Sequence, residues 1–207
     1  MQVLLGVFTV FYGLRLTVMN LEPPFTHILK QFGVIILSLM LGRLVGWLLR
    51  LQKISNRIGQ HARETFTEYA QKQGPPAVGF KMCAALYCAA PLGIIGAVED
   101  GLSGYFYPLL IKGIMDGLAT MGMARTFRWG PMLAAIPVLA FQGTITVFAK
   151  EAARNWAGAA PFLPMTNAVG GLLIFAVALV ILQVKRIALA DYLPSILFAP
   201  LVAWLFR

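Results

Sequence analysis

Charge is scarce in this chain of 207 residues: only 12% are Asp, Glu, Lys or Arg, too little to coat a water-soluble globule of that length. Histidine is limited to His27 and His61, which the topology derived below puts on opposite sides of a bilayer. The two cysteines, Cys83 and Cys88, sit in one apolar run at a spacing that suits neither a disulfide framework nor a zinc site. They read as inert buried thiols. No H-E-x-x-H, phosphate-binding loop or dinucleotide fingerprint occurs, which argues against a zinc protease or a nucleotide-driven pump acting alone. Without a nucleophile beside a base, or a metal-ligand set, the chain is expected to be no enzyme and to need no metal and no cofactor. A removable signal peptide is not expected either. The first apolar run starts at Met1 without a basic leader and ends in Asn20-Leu21-Glu22-Pro23-Pro24, so it reads as a first span.

Apolar residues fill the chain instead. They make up 59% of it, against roughly 45–50% in soluble domains, and the mean hydropathy is +0.77. The sequence predicts an all-α, polytopic transmembrane helical bundle, one domain over residues 1–207. A helix rises about 1.5 Å per residue and the hydrocarbon layer is about 30 Å thick, so a span takes about 20 residues. About seven stretches qualify or nearly do: Val3–Met19, Gln31–Leu51, Val78–Val98, Tyr107–Ala124, Pro131–Ala149, Asn167–Val184 and Tyr192–Phe206. Pro23-Pro24, Gly74-Pro75-Pro76, Gly101 to Gly104, Gly130-Pro131 and Pro161 to Pro164 punctuate the breaks. The Gly6–Leu14 stretch also has a faint likeness to Gly171–Leu179, a hint of repeated hairpins.

A formal charge of +9 raises the question of nucleic acid, but the basic residues fall between and beside the apolar runs and report topology instead. Arg50, Lys53, Arg57, Arg63 and Lys72 place the segment 52–74 in the cytoplasm as a basic helix or loop at the lipid headgroups. Arg125 and Arg128, then Lys185 and Arg186, fall on the same side. That scheme puts the N-terminus in the cytoplasm and the C-terminus outside a bacterial inner membrane. The partners expected are the lipid bilayer, a small solute or ion, and further copies of the chain, but no nucleic acid.

A charge near the bilayer centre costs about 2.5–3.5 kcal/mol on insertion scales, so ionisable groups inside apolar runs need a partner or water. Glu99 and Asp100 close the third run in a glycine-rich turn, as a cation-attracting mouth or as a solvated cap. Lys112 and Asp116, four apart, share a helix face and neutralise one another, either along an ion or solute path or as a structural pair. Gln142, with Thr144 and Thr146 after Pro137, offers donors and acceptors to a neighbouring helix or a solute. Glu99, Asp100, Lys112, Asp116 and Gln142 are therefore the ion-path candidates. Gly42 and Gly46, Gly113 and Gly117, and Gly170 with Gly171 are the small faces that favour close helix contact and an oligomer.

From Gly93 to Gly104, through Lys112, Asp116-Gly117, Ile136-Pro137, Gln142-Gly143, Ala168 to Leu172 and Leu193-Pro194, the chain resembles the YqgA-like bacterial inner-membrane proteins, domain-of-unknown-function family 554. The likeness is clearest over 82–206 and looser before it. Relatives usually begin with a further glycine-rich apolar segment carrying an Asn, so the first run here corresponds to their second. They tend to carry Asn where this chain has Asp191. The resemblance implies a bacterial membrane protein and supplies no activity or substrate. The reading that best fits the intramembrane charges is a transporter or channel-like protein for a small solute or ion; a non-transporting assembly or scaffold protein is the alternative.

Overall fold

A computed structural model describes residues 2–21, 25–69, 74–155 and 163–206, and every element among them is helical. The helices are α1 (Gln2–Met19), α2 (Phe25–Leu48), α3 (Leu51–Tyr69), α4 (Pro76–Cys88), α5 (Pro91–Ser103), α6 (Tyr107–Phe127), α7 (Gly130–Leu133), α8 (Ala135–Asn155), α9 (Leu163–Ile181), α10 (Leu189–Tyr192) and α11 (Ser195–Leu205). Proline sets many of the starts. It occupies the first or second position of α4, α5, α6 and α7, where its missing N–H costs nothing. The expected turns at Pro23-Pro24 and Pro161 fall outside the described residues.

Three stretches, His27–Leu48, Gly130–Asn155 and Leu163–Ile181, are long and apolar enough to cross a membrane, and α4 with α5 makes a fourth if the bent pair counts as one. Val3–Met19 and Leu189–Leu205 are shorter apolar helices. The third expected run, Val78–Val98, is not one helix: it breaks at Ala89–Ala90 with a bend of 57° and resumes to Ser103, where Gly104 closes it in the left-handed conformation (φ 70°). Continuous α6 lies antiparallel to both halves. Met123 meets Cys83, Thr120 meets Tyr87, and Leu109 approaches Gly96. The bent pair therefore runs as one interrupted rod.

The centre of the molecule is α9, whose residues from Met165 to Gly171 are all buried. It packs antiparallel on α1, and glycine makes the approach possible: a Cβ at Gly13 would lie 2.7 Å from the Phe175 nitrogen and 2.9 Å from the Gly171 oxygen. The Thr17 hydroxyl donates to the Ala168 carbonyl (3.3 Å), and the Asn167 amide donates to Asn20 Oδ1 (3.2 Å). In the same antiparallel sense α2 packs on α10 and α11, with Gly42 against Ser195 and Gly46 against Asp191. The two stretches that looked alike in sequence thus lie against each other. Several hydroxyls within helices are satisfied by the carbonyl one turn back, as at Thr9 and Ser38 (2.7 Å each), the arrangement open to a polar group facing lipid or a dry core. Large apolar side chains point outward, Leu139 and Phe148 being 76% and 77% exposed, which suits a hydrocarbon solvent.

The polar segment after α2 is the helix α3, held at both ends. At its start, Asp191 Oδ1 accepts the Gln52 N–H (2.8 Å) while Gln52 Oε1 accepts the Ala190 N–H (3.0 Å), so a carboxylate caps the helix from far along the chain. At its end, Tyr69 and Phe66 pack on the fully buried Phe127. A cap of this kind contributes about 1 kcal/mol. D191A is expected to lower the thermal stability of the purified protein by about that much and to speed proteolysis within α3, whereas D191N, which keeps the acceptor, stays near the native value. Differential scanning fluorimetry and limited proteolysis in detergent read both.

Candidate functional site

The interruption between α4 and α5 has a chemical cause. In a continuous helix the Tyr87 carbonyl would accept the N–H of the residue four positions on, and that residue is Pro91, which has none. The freed carbonyl is taken by a side chain instead: Lys112 Nζ, from α6, donates to Tyr87 O at 3.4 Å and lies 5.3 Å from the centre of the Tyr87 ring. Lys112 is buried, with 4% of its surface exposed. One turn along α6, Asp116 forms an ion pair with it. The partial negative charge at the C-terminal end of α4 favours the ammonium there as well.

Other groups close round the break. The Tyr87 and Thr120 hydroxyls share a hydrogen bond of 2.9 Å, and the Cys83 thiol faces Met123 Sδ at 3.1 Å. From α8, the Gln142 amide lies against Gly93 in the first turn of α5, where a Cβ would stand 2.6 Å from Nε2 and 3.7 Å from Lys112 Cε. Gln142 Nε2 is buried without a hydrogen-bond partner. The Cys88 thiol points to the Pro137 carbonyl at 3.9 Å. Pro137 has its own effect: it cannot bond the Leu133 carbonyl, and α7 ends at that residue.

Lys112, Asp116 and Gln142 are thus brought together at the break, whereas Glu99 and Asp100 are not part of it. The carboxylates lie within α5 rather than in a turn, and they diverge. Glu99 is fully buried against Gly170, where a Cβ would collide with its carboxylate, and neither oxygen has a hydrogen-bond partner. Asp100 lines a cavity of about 540 Å³ with Thr146, Lys150 and Arg154. An apolar groove of about 520 Å³ runs between α5, α8, α9 and α11, lined by Val98, Leu102, Phe148, Leu163, Ile196 and Pro200 among others. Two further cavities lie at Trp47, Arg50 and Asp191 and along the outer face of α8. Glu99, Lys112 and Asp116 line none of these four.

The glycine pairs also part company. Gly42, Gly46, Gly170 and Gly171 are filled by neighbouring helices within the chain, while a Cβ at Gly113 or Gly117 would meet nothing within 4 Å. Among the described residues no three His, Cys, Asp or Glu side chains gather as metal ligands. The sequence reading did not single out Tyr87, Thr120 or the break itself; the signal available was Pro91 within an apolar run.

A buried pair that loses one member leaves an uncompensated charge, at a cost of about 3–5 kcal/mol when fully buried and less here, since 20% of the Asp116 side chain is exposed. K112M and D116N are each expected to destabilise the protein by more than K112M/D116N together. Thermal unfolding of the three variants in detergent measures the coupling, and additive losses would contradict it.

The family model described as "Protein of unknown function (DUF554)" matches residues 1–204, so the match includes the first 81 residues, where the likeness was looser. The uncharacterized membrane protein YdfK of Bacillus subtilis (strain 168) is 31% identical over 170 residues, covering 81% of this chain and 68% of its own. The uncharacterized protein YqgA of Escherichia coli (strain K12) is 30% identical over 181 residues, covering 82% of this chain and 73% of its own. No solved structure matches. A chain whose described elements are all helical, with helices long and apolar enough to cross a membrane, and which the family model matches over residues 1–204, belongs to the DUF554 family.

Proposed function

We propose that this protein moves a small polar solute or ion across the bacterial inner membrane, as a transporter or channel-like protein rather than an enzyme. The observation that carries the reading is the interrupted helix. Irregular backbone at membrane depth is tolerated where protein or a hydrated cavity takes up its polar groups, and broken helices with their ends at a midplane site are a recurring way to hold a solute or ion. Here the break offers a carbonyl, an ion pair and an unpartnered amide donor, Gln142 Nε2, to whatever enters. The donor suits an acceptor-bearing solute.

In this reading the chain crosses the membrane seven times, with the α4–α5 pair counted once and α3 at the cytoplasmic face. The N-terminus lies inside and the C-terminus outside. The open glycine face of α6 at Gly113 and Gly117 is where a second copy of the chain packs.

The alternative, an assembly or scaffold protein, draws support from one observation: Lys112 and Asp116 satisfy each other within one helix, and the four cavities above do not reach them. Flux separates the two. Proteoliposomes containing the native chain are expected to take up or release solutes from a panel of ions and small polar metabolites faster than empty vesicles, and Q142L, still folded, to lose most of that flux. Absence of flux across the panel from folded native protein favours the scaffold. For the oligomer, G113L/G117L is expected to remain folded and to fall to monomer mass by light scattering in detergent. An unchanged mass would place the contact elsewhere.

A further inference from the structure

Glu99 lies apart from the site at the break and has no structural partner to explain it. Its exposure is 0%, and both carboxylate oxygens lack a hydrogen-bond partner. Among the described residues, few ionisable side chains come near it. Helix α9, against which it rests at Gly170, has no ionisable side chain from Leu163 to Ile181, and α11 has none from Ser195 to Leu205. On α8, Thr146 is bonded to the Ala97 carbonyl, and Lys150 lines the Asp100 cavity instead. On α6 and α4, Lys112 and Tyr87 are engaged at the break. The ionisable groups on the approach to Glu99 are Tyr105, which feels both Glu99 and Arg15, and the Tyr12 and Tyr107 rings beside it. The Tyr105 hydroxyl is spent on the Tyr12 carbonyl (2.9 Å).

An ionised carboxylate in that pocket, with neither donor nor cation, would carry a desolvation cost of several kcal/mol. A positive species on the carboxylate would remove that cost. Calcium or magnesium takes six or more oxygen ligands, and among the described residues no three His, Cys, Asp or Glu side chains gather to supply them. A proton needs one oxygen lone pair. We propose that Glu99 is a proton-binding site coupled to solute movement at the α4–α5 break. A proton adds to one carboxylate oxygen to form the neutral acid and leaves from the same oxygen, with no other bond made or broken. This rests on the transport reading above and names its driving ion.

The release step has a route in the fold. α5 is a short helix joined to α4 by Ala89 and Ala90, and Gly93, Gly96 and Gly101 bring its backbone close against α6 and α8. A tilt about that joint carries Glu99 away from Gly170 and breaks the Thr146 bond to the Ala97 carbonyl.

The test is infrared spectroscopy of the full chain in liposomes, titrated from acid to alkaline pH. The native protein is expected to show the carbonyl stretch of an unbonded carboxylic acid at neutral pH, to lose it reversibly as pH rises, and to lack it in E99Q. Uniform ¹³C-glutamate labelling shifts the band without any mutation and separates it from Asp116 and Asp100, so the result stands even if E99Q fails to fold. No such band in the native chain, a band unmoved by the label, or one that never titrates overturns the proposal. Proton flux in vesicles loaded with a pH-sensitive dye gives the second arm. Flux unchanged in E99Q overturns the proton site and leaves transport standing, whereas a titrating band without flux of any kind keeps the site and removes the transport reading.

Discussion

The Lys112 ammonium and the Tyr87 carbonyl each remove a cost the other could not bear alone. A lone lysine near a bilayer centre costs about 2.5–3.5 kcal/mol, and a main-chain carbonyl freed by proline costs several kcal/mol when it faces hydrocarbon. Set against each other, with Asp116 neutralising the remaining charge, both are accommodated. The break in α4–α5 and the charged turn of α6 are thus one device. Removing Pro91 would return the carbonyl to its helix and strand the lysine; removing the lysine would leave the carbonyl bare.

Much of the remaining fold holds this device in place. α9 forms a buried axis, α1 lies along it through Gly13 and Gly171, and α2 lies along α10 and α11 through Gly42 and Gly46. Hydrogen bonds between distant residues lock these pairs, among them Asn167 with Asn20 and Asp191 with the start of α3. The elements from α4 to α8 carry the groups at the break and share a second core of Met82, Cys83, Tyr87, Phe127 and Ala134.

The sequence made some of this legible and hid the rest, for physical reasons. Apolar runs and prolines reveal helices because periodicity and punctuation are local, so the starts of α4, α6 and α7 were near those expected. The pairing of Lys112 with Asp116 was legible for the same reason, being one turn of one helix. Pro91 was passed over because an apolar run tolerates proline, and a run of suitable length was read as continuous. That placed Glu99 and Asp100 in a turn when they lie on different faces of one helix. Gly42 with Gly46 and Gly113 with Gly117 share a spacing, yet only the first pair is filled by this chain. Spacing says that a neighbour can approach, not which one. Nothing local could have shown that Asp191 caps a helix beginning at Leu51.

The native thiols offer the most direct measurement. Cys88 ends α4 at the break and lies within electrostatic reach of Lys112 and Asp116, while Cys83, five residues earlier, is fully buried. Labelling of the C83A and C88A chains in intact membranes with a charged, membrane-impermeant thiosulfonate asks whether water reaches the interrupted helix. Modification of Cys88 with Cys83 left unreacted is the result this account predicts; two equally inert thiols would contradict it, because the polar groups at the break would then serve only one another.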